Sequence, residues 1–333
     1  MFWHREGAAM KILVTGGAGF IGYHLTKALL DRGDEVLSID NLDPFYDVRV
    51  KEMNIKAFEN KPSFVFKKGD IVDKAFINKI FEKGSIDKVV HLAALASPPV
   101  SMKYPLNYAY VNYFGTVNLL EVSVQNKVNN FVFASSSSVY GGRTEIPFRE
   151  LEDITKPISQ YAATKAAGEL ICYTYHHIYK MPITCLRFFT VYGPNQRPYG
   201  MAHQKFIKLV YANKPLPVYG DGSMARDYTY VDDTVSGILL SLDKNLPFEV
   251  INLGNSAAVT LTQLISVIEK ALSKKAIINN LPIPKTEVPI TYADITKAKS
   301  LLGYNPKTSL EEGVEKQVEF FLNAPDWYKN LPA

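Results

Sequence analysis

Short apolar segments alternate with longer segments of helical periodicity through most of the chain. The apolar segments are four to seven residues long and are bounded by small or turn-forming residues, which is typical of strands buried on both faces of a parallel sheet. They occupy 11–14, 35–39, 64–67, 88–92, 130–133, 183–189 and 249–253. The amphipathic segments between them predict helices, so the pattern predicts an α/β fold with a doubly wound parallel sheet.

The predicted helices follow most of these strands. The periodicity places them from the first glycine-rich turn to Asp31, up to about Lys83, and over 108–126, from Tyr161 onward, 204–212, 231–242, 261–273 and from Asp294 to Gly303. A proline-rich connection is predicted over 281–289. The return of a helix and a strand after residue 229 predicts two interleaved domains.

Composition narrows the classes of function. The chain has 333 residues, is 47% hydrophobic and 21% charged, and has a formal net charge of +4. Without a basic run, this charge argues against a nucleic-acid or membrane partner and favours an anionic small molecule. No apolar run approaches the ~20 residues of a transmembrane helix, and residues 1–9 lack the apolar core of a signal peptide. Cys172 and Cys185 lie in apolar segments, so we expect buried, reduced thiols and a cytoplasmic protein.

A glycine-rich turn follows the first predicted strand and opens a predicted helix. Gly16, Gly19 and Gly22 have the spacing G-x-x-G-x-x-G, with Phe20 and Ile21 in between. Small residues at these positions let a dinucleotide pyrophosphate approach the backbone at the helix N-terminus. The turn therefore predicts a dinucleotide site that includes these five residues.

The ends of the next predicted strands supply further candidates for the cofactor site. Asp40 ends the second strand about twenty residues after the glycines, where a carboxylate binds ribose hydroxyls and disfavours a 2′-phosphate. This favours NAD over NADP, and a turn or helix-cap role is the alternative. Ordinary packing is the alternative for the remaining candidates, which are Asn41, Asp70, Ile71, Leu92, Ala93 and Ala94.

Tyr161 and Lys165 carry the candidate chemistry. They are four residues apart in an alanine-rich helical segment, so their side chains share one face. A lysine ammonium beside a phenol lowers the tyrosine pKa from its usual value near ~10, which would make Tyr161 a general base at neutral pH. The alternative is an amphipathic helix with a snorkelling lysine. His176 and His177 lack a third ligand nearby, so no metal site is predicted.

Taken together, these motifs resemble those of the extended short-chain dehydrogenases/reductases, in the branch of nucleotide-sugar epimerases and dehydratases. The resemblance covers Met10 to about Phe321 and includes the segments 15–22, 70–71, 91–94, 135–141, 161–165 and 226–233. It implies tightly held NAD and a UDP-sugar substrate. Tyr161 would remove the sugar O4 proton while hydride leaves C4, which gives a 4-keto sugar. The resemblance also implies a homodimer formed through the helix of Tyr161 and the helix over 108–126.

The resemblance assigns the domains as follows. A Rossmann NAD-binding domain covers 10–189, with 229–255 returning to it. A smaller nucleotide-sugar-binding domain combines 190–228 and 256–325, and residues 1–9 are an N-terminal extension before Met10.

The serine run indicates what becomes of the ketone. In the family, the hydroxyl that matches Ser136 bonds the reacting O4. The 4,6-dehydratases carry Asp-Glu at the positions of Ser137 and Ser138, and the decarboxylases that make UDP-xylose carry Ser-Glu. This chain has serine at both positions, so the resemblance implies simple epimerisation.

The segment 190–198 resembles that of epimerases acting on UDP-glucuronate. Arg197 would bind the C6 carboxylate of the sugar, because a guanidinium binds carboxylates in bidentate fashion. Ser137, Ser138 and Thr190 would add neutral hydrogen bonds. A phosphate contact or a surface salt bridge is the alternative for Arg197. Tyr199-Gly200 replace the usual acidic residue of these epimerases.

Two further residues are assigned by the resemblance. Tyr219 would stack on the uracil, and Arg226 would clamp the diphosphate. Without the resemblance, Arg226-Asp227 would be read as a solvated ion pair. The leading hypothesis is an NAD-dependent isomerase, a UDP-sugar 4-epimerase that interconverts UDP-glucuronate and UDP-galacturonate. The alternatives are a UDP-glucose or UDP-N-acetylglucosamine 4-epimerase and a non-catalytic NAD-binding regulator.

Overall fold

The computed structural model of the protein describes residues 9–82, 84–198, 201–283 and 288–332. The strands within these residues are β1 (Lys11–Thr15), β2 (Glu35–Asp40), β3 (Phe64–Lys68), β4 (Lys88–His91), β5 (Asn130–Ser136), β6 (Ile183–Phe188), β7 (Thr190–Tyr192), β8 (Pro215–Tyr219), β9 (Ala225–Tyr230), β10 (Phe248–Leu253), β11 (Ala258–Thr260) and β12 (Ile277–Leu281).

The helices within the same residues are α1 (Phe20–Asp31), α2 (Val48–Lys56), α3 (Lys74–Glu82), α4 (Pro98–Lys103), α5 (Pro105–Tyr108), α6 (Gly115–Gln125), α7 (Gln160–Tyr179), α8 (Ala202–Tyr211), α9 (Val231–Lys244), α10 (Leu261–Leu272), α11 (Thr296–Leu302), α12 (Leu310–Asn323) and α13 (Asp326–Lys329). A π-helical segment covers Ala109–Phe114, and a 3-10 turn covers Ser137–Tyr140.

A seven-stranded parallel sheet forms the centre, in the strand order β10-β6-β5-β4-β1-β2-β3. From β1 the chain winds outward through β2 and β3, and from β4 it winds outward in the opposite direction. The direction therefore reverses between β1 and β4. Ligands of open α/β sheets bind at such a reversal, outside the carboxyl ends of the strands. The predicted α/β fold with a Rossmann-type sheet is confirmed.

Both faces of the sheet are covered by core. Ile12 and Val14 of β1 belong to one buried apolar cluster, and Leu13 between them belongs to the other. Successive side chains of a strand point to opposite faces, so the uninterrupted apolar run of β1 is required by burial on both sides. The same reasoning explains the apolar run over 131–134 in β5, a strand whose seven residues are all buried.

Two smaller sheets lie in the second half of the chain. One has the order β11-β9-β7, and the other pairs β12 with β8. β10, which follows β9 in the sequence, is an edge strand of the large sheet and pairs with β6. The chain thus leaves the large sheet and returns to it. The exact domain bounds stay a prediction.

The predicted helix over 108–126 is interrupted. The structure divides it into the end of α5, the π-helical segment Ala109–Phe114 and α6. Asn112 in the π-helical segment is buried, accepts from the Leu95 backbone N–H at 2.8 Å and donates to the Leu95 carbonyl at 3.0 Å. π-helical turns often lie at functional sites, and Leu95 lines the cavity described below.

Other sequence expectations meet the structure in different ways. Cys172 and Cys185 are free and buried, as predicted. No helix of the described residues combines the length and the apolarity needed to cross a bilayer. The sequence analysis did not predict β7, β8, β9, β11 or β12.

His203 on α8 is a buried histidine outside the cavity. Its ring stacks on Tyr192 with centroids 4.3 Å apart and meets the Tyr228 ring edge-on at 4.4 Å. Within the described part of the chain, neither of its ring nitrogens has a hydrogen-bond partner. Burial lowers the pKa of His203 to about 3. The ring is therefore neutral and contributes only its aromatic packing.

We expect His203→Phe to stabilise the protein by roughly 1–2 kcal/mol, because it removes two unsatisfied polar atoms and keeps the stacked ring. The unfolded chain binds a proton on this histidine near ~6.5 and the folded chain does not. The stability of the wild type is therefore full above that pH and is lost as the pH falls. Melting temperatures between pH 7.5 and 4.5 should fall less steeply in the variant. His177→Phe, at an exposed histidine, is the control; a lower melting temperature for His203→Phe contradicts the account.

Candidate active site

A cavity of about 830 Å³ opens where the carboxyl ends of the central strands meet the second half of the chain. It brings together every predicted site residue except Tyr219. The lining includes Gly16, Gly19, Phe20, Ile21, Gly22, Asp40, Asn41, Asp70, Ile71, Leu92, Ala93, Ala94, Ser136, Ser137, Ser138, Tyr161, Lys165, Thr190, Arg197 and Arg226.

The glycine-rich turn is as tight as its spacing predicts. Gly16 has a φ of +70°, and a Cβ atom built on it would lie 2.8 Å from the Ala93 backbone nitrogen. A Cβ on Gly22 would lie 2.3 Å from the Gly16 carbonyl oxygen. Gly19, the N-cap of α1, supplies no side-chain acceptor, so the first N–H groups of the helix suit an anion. A pyrophosphate fits this bare backbone.

Asp40 is buried at the end of β2 and has a partner that the sequence analysis missed. Its Oδ1 accepts from the Leu42 backbone N–H at 2.8 Å and lies 3.2 Å from Lys51 Nζ, which is also buried. Asn41 donates to Asp70 Oδ2 at 2.8 Å. The two contacts of Oδ1 hold the Asp40 carboxylate in one orientation, which suits an acceptor for ribose hydroxyls. Lys51 carries no motif of its own, and a lone lysine on an amphipathic helix gives no signal.

Ser136, Tyr161 and Lys165 meet at the end of β5. Ser136 is the last residue of the strand, and Tyr161 lies in the first turn of α7, which Ser159 caps through the Ala162 N–H. The Ser136 hydroxyl accepts from the Ser138 backbone N–H at 3.2 Å, lies beside the Tyr161 phenol and acts to lower the pKa of that phenol. Lys165 Nζ donates to the Ala134 carbonyl at 2.7 Å. The strand end and the helix face therefore form one polar cluster in the cavity wall.

The prediction that Lys165 lowers the pKa of Tyr161 is wrong, because this pKa is raised in the structure. Burial raises the pKa of Tyr161, while the Ser136 hydroxyl and the charge of Arg197 act to lower it. Burial also lowers the pKa of Lys165 to about 8. The sequence spacing placed both groups on one face correctly. It carried no information on the desolvation of either group, which disfavours both charged forms.

A buried ion pair supports this cluster from behind. Glu169, one turn after Lys165, accepts from Arg187 Nε at 2.9 Å and from Arg187 Nη2 at 2.7 Å. Ser135 Oγ donates to the same carboxylate. Arg187 lies on β6, so the pair ties α7 to β5 and β6. The sequence analysis missed it because the partners are remote in sequence.

Arg197 lies at the same end of the cavity as Tyr161. Its Nη1 donates to the Ala96 carbonyl at 2.9 Å, and its guanidinium carbon lies 5.4 Å from the centre of the Phe45 ring. Burial raises the pKa of the phenols of Tyr161 and Tyr108, and the positive charge of Arg197 partly offsets that effect. A cation in this place is suited to an anionic group of a ligand whose reacting hydroxyl faces Tyr161.

Of the two residues predicted to bind the nucleotide, Arg226 and Tyr219, only Arg226 lines the cavity. Arg226 on β9 lines the cavity and donates to the Ala225 carbonyl at 2.9 Å. Tyr219 ends β8, is half-buried and does not line the cavity, so its stacking role stays a prediction. Tyr199 and Gly200 lie outside the described residues.

Asp227 is not the solvated ion-pair partner that the sequence alone suggests. It is buried, and its carboxylate accepts from the backbone N–H groups of Asn255 at 2.7 Å, Ser256 at 3.0 Å and Ala293 at 3.0 Å. Burial raises its pKa to about 6. Asp227 therefore joins three backbone segments behind the cavity wall.

Comparison with known proteins identifies the family. Residues 13–317 match the family model described as GDP-mannose 4,6 dehydratase. The chain belongs to this family. A relative within it, the UDP-glucuronate 4-epimerase of Thermodesulfobacterium geofontis, is 43% identical over 309 residues, which are 92% of this chain and 95% of the relative. The resemblance to extended short-chain dehydrogenases/reductases is thereby confirmed.

Solved structures of the family superpose closely on this fold. The UDP-glucuronic acid 4-epimerase from Bacillus cereus, in complex with UDP-glucuronic acid and NAD, has a TM-score of 0.88 and 39% identity, covering 93% of this chain and 98% of that chain. The UDP-glucose 4-epimerase from Thermotoga maritima, with UDP-glucose, has a TM-score of 0.85 and 34% identity, covering 94% and 99%. The solved structures similar to this chain thus include 4-epimerases bound to different UDP-sugars.

Proposed function

We propose that the protein is an NAD-dependent UDP-sugar 4-epimerase, and that it interconverts UDP-glucuronate and UDP-galacturonate. The observation that carries the proposal is the convergence of Ser136, Tyr161 and Lys165 beside Arg197 in one cavity. The relative and the B. cereus structure named above, both described as UDP-glucuronate 4-epimerases, support the same sugar.

The glycine turn and Asp40 would hold the cofactor, with Tyr161 and Lys165 at its reactive end. NAD, when bound, supplies the acceptor for the C4 hydride and later returns that hydride. Ser136 would form a hydrogen bond with the sugar O4, as donor or as acceptor, and this bond would hold the reacting oxygen beside the phenol. Tyr161 would take the O4 proton as hydride leaves C4. Burial raises the pKa of this phenol, so the ionised form that accepts the proton depends on the Ser136 hydroxyl and the Arg197 charge, which act to lower that pKa. The result is a bound 4-keto intermediate.

Epimerisation needs the ketone to turn before reduction. With the diphosphate fixed at Arg226, the sugar would rotate and present its other face to the same hydride. Tyr161 would then return the proton to O4. Protons and electrons balance, because the hydride and the proton removed in the first half are both restored in the second.

The residues beside Ser136 would not catalyse the elimination of water from the 4-keto sugar. Ser137 and Ser138 line the cavity, and a serine hydroxyl is neither a general acid nor a general base near neutral pH without an activating partner. The elimination of water would therefore lack its catalysts. This separates the chain from the dehydratases after which its family is described.

Arg197 would have a second task with a glucuronate. The 4-keto form is a β-keto acid, which loses carbon dioxide when the carboxylate bond aligns with the carbonyl π system. A guanidinium that binds the carboxylate in bidentate fashion keeps it ionised and fixes its torsion. Ser137, Ser138 and Thr190 would complete the carboxylate site.

A substrate panel tests the choice of sugar. We expect kcat/KM for UDP-glucuronate to exceed that for UDP-glucose and UDP-N-acetylglucosamine by about 10² or more, because a neutral sugar lacks the carboxylate that would form charge-assisted hydrogen bonds with the Arg197 guanidinium. Equal or faster turnover of UDP-glucose would keep the Ser136 and Tyr161 mechanism and reject the glucuronate assignment. Product separation by anion-exchange chromatography measures all three reactions.

We also propose that the protein is a homodimer. Large apolar side chains are exposed on neighbouring helices, with Leu106 82% exposed on α5, Tyr110 54% exposed in the π-helical segment and Leu170 66% exposed on α7. A second copy of the chain would cover this face. The two free buried cysteines fit a reducing compartment, and we propose the cytosol.

Leu170→Glu should convert the dimer to a monomer, because it places a charge in an apolar contact. Size-exclusion chromatography with light scattering distinguishes one copy of 37.3 kDa from two. Leu151→Glu, at a leucine that is 98% exposed outside these helices, is the matched control. If both variants keep the mass of the wild type, this face is not the interface.

A further inference from the structure

The loop over 193–198 carries Arg197 into the cavity and is held by several elements. His24 Nε2 on α1 lies 2.9 Å from the Pro194 carbonyl oxygen, within hydrogen-bond distance. The Asn195 amide donates to Asn54 Oδ1 on α2 at 2.8 Å. Both contacts come from the half of the molecule that holds the glycine turn. They connect the loop to the cofactor side of the cavity.

The opposite side of the loop is fixed by the C-terminal helices. Gln196 accepts from the Gln317 amide of α12 at 2.8 Å and donates to the Val191 carbonyl at 3.0 Å. The Tyr328 hydroxyl of α13 donates to the Gln196 carbonyl at 2.9 Å. Asn195 therefore stands between two anchored neighbours.

Asn195 has a backbone conformation that few side chains tolerate. Its φ is +60°, in the left-handed region where asparagine is enriched several-fold among residues with a side chain. Its side chain is also buried and bonded to Asn54. The residue thus combines a turn that aims the chain toward the cavity with a bond that fixes the position of the turn.

Asn54 continues the connection to the glycine turn. Its side chain is buried, and its Nδ2 donates to the Ala18 carbonyl at 3.0 Å. Ala18 lies between Gly16 and Gly19. Lys51, one turn earlier on α2, pairs with Asp40. One helix thus contacts the ribose-binding carboxylate, the glycine turn and the loop of Arg197.

We propose that Asn54 and Asn195 are positioning residues that place the Arg197 guanidinium for the carboxylate of the sugar. The inference rests on the proposed function. Arg197 follows Asn195 by two residues, and a displacement of about 1 Å in a binding group costs on the order of 10²-fold in the reaction it serves. If the loop were released from α2, Arg197 would still be present, but its guanidinium would no longer be held in position for the carboxylate.

The pair also links two ligands. The Ala18 carbonyl belongs to the turn that would hold the cofactor pyrophosphate, so a change in that turn reaches Asn195 through two hydrogen bonds. Coupling between two binding sites is reciprocal. A ligand that binds Arg197 would therefore favour the same arrangement of the glycine turn.

Asn195→Asp is the sharpest probe. Aspartate keeps the size and tolerates the left-handed conformation, but its carboxylate faces Asn54 Oδ1. If Asn54 turned its amide over to donate to it, its own oxygen would face the Ala18 carbonyl. No arrangement satisfies all of these groups. Asn54→Ala, which removes the connection from the other side, is the second variant.

The test measures dissociation constants by calorimetry on the full chain loaded with NAD, for UDP-glucuronate and for UDP. Asn195→Asp should weaken UDP-glucuronate roughly tenfold, as a partial loss of the aim described above, and should leave UDP unchanged within about twofold. In the Arg197→Met background the same change should have no further effect on UDP-glucuronate, because residues that act through one contact are not additive. Asn54→Ala should follow the same pattern.

A role in stability alone predicts other outcomes. Equal weakening of UDP and UDP-glucuronate, full additivity with Arg197→Met, or loss of folding in both variants overturns the positioning role. If Arg197→Met weakens UDP-glucuronate but the asparagine variants do not, the positioning role fails and the proposed function stands. If Arg197→Met leaves the wild-type affinity unchanged and UDP-glucuronate is not turned over, both fail together.

Discussion

Tyr161→Phe should lower the rate of epimerisation by roughly 10² to 10⁴ while the protein still binds NAD. The change removes only the phenolic oxygen, which lies beside the Ser136 hydroxyl. The ring, its edge-on contact with Tyr108 at 6.5 Å and the fold stay in place. The loss is therefore one of proton transfer, not of binding.

Steady-state turnover of UDP-glucuronate together with the amount of NAD bound measures the effect. Tyr173→Phe, an exposed tyrosine on the same helix, is the matched control and should behave as the wild type. An unchanged rate in Tyr161→Phe would contradict the role of the phenol in proton transfer. No turnover even in the wild type would favour a non-catalytic NAD-binding protein, because such a protein needs the fold but not the phenol.

Arg197→Met should reduce kcat/KM for UDP-glucuronate by roughly 10² to 10³. The loss of two charge-assisted hydrogen bonds to a carboxylate, at about 1.5–3 kcal/mol each, supports at least this range. Methionine keeps much of the apolar stem but removes the guanidinium, whose carbon lies 5.4 Å from the centre of the Phe45 ring. The carboxylate of the keto intermediate would also lose its fixed torsion, so a pentose product from loss of carbon dioxide should rise.

Chromatography of the product mixture checks both effects. Arg149→Met is the control, because the Arg149 side chain is 66% exposed and pairs with Asp294 at 3.4 Å and is not among the residues that line the cavity. Unchanged kinetics and no pentose in Arg197→Met would return this arginine to a phosphate contact or a surface role.

The parts of the site that are local in sequence could be predicted from sequence. Gly16 and Gly22 are adjacent through a tight turn whose geometry follows from their spacing. β1 is buried on both faces and its apolar run is unbroken, while β2 interrupts its apolar run only at the buried Ser38. Tyr161 and Lys165 share a helix face for the same local reason. Their placement in one cavity follows from the strand order.

Pairs that are remote in sequence could not be predicted. Lys51 meets Asp40, and Arg187 meets Glu169, only because helices fold back against strand ends. Neither lysine nor arginine signals its partner by spacing. The direction of the Tyr161 pKa was missed for a related reason, since it depends on burial by the whole fold and not on the residue four positions away.

Two strands outside the large sheet, β8 and β12, were missed because they lack a strand pattern. Two of the five residues of β8 are proline, and β12 reads Ile-Ile-Asn-Asn-Leu with four of its five residues exposed. Proline and asparagine are depleted in strands. β8 and β12 pair although neither has the alternating or apolar pattern of a strand, so only the structure reveals this small sheet.

In the proposed reaction a hydride leaves C4 and returns to the same carbon. Proton NMR of UDP-glucuronate incubated with the NAD-loaded protein in deuterated water follows that hydrogen. We expect UDP-galacturonate that keeps protium at C4, since a hydride held by the cofactor does not exchange with solvent. Deuterium at C4, a dehydrated or decarboxylated sugar as the main product, or no conversion of UDP-glucuronate would contradict the proposed reaction.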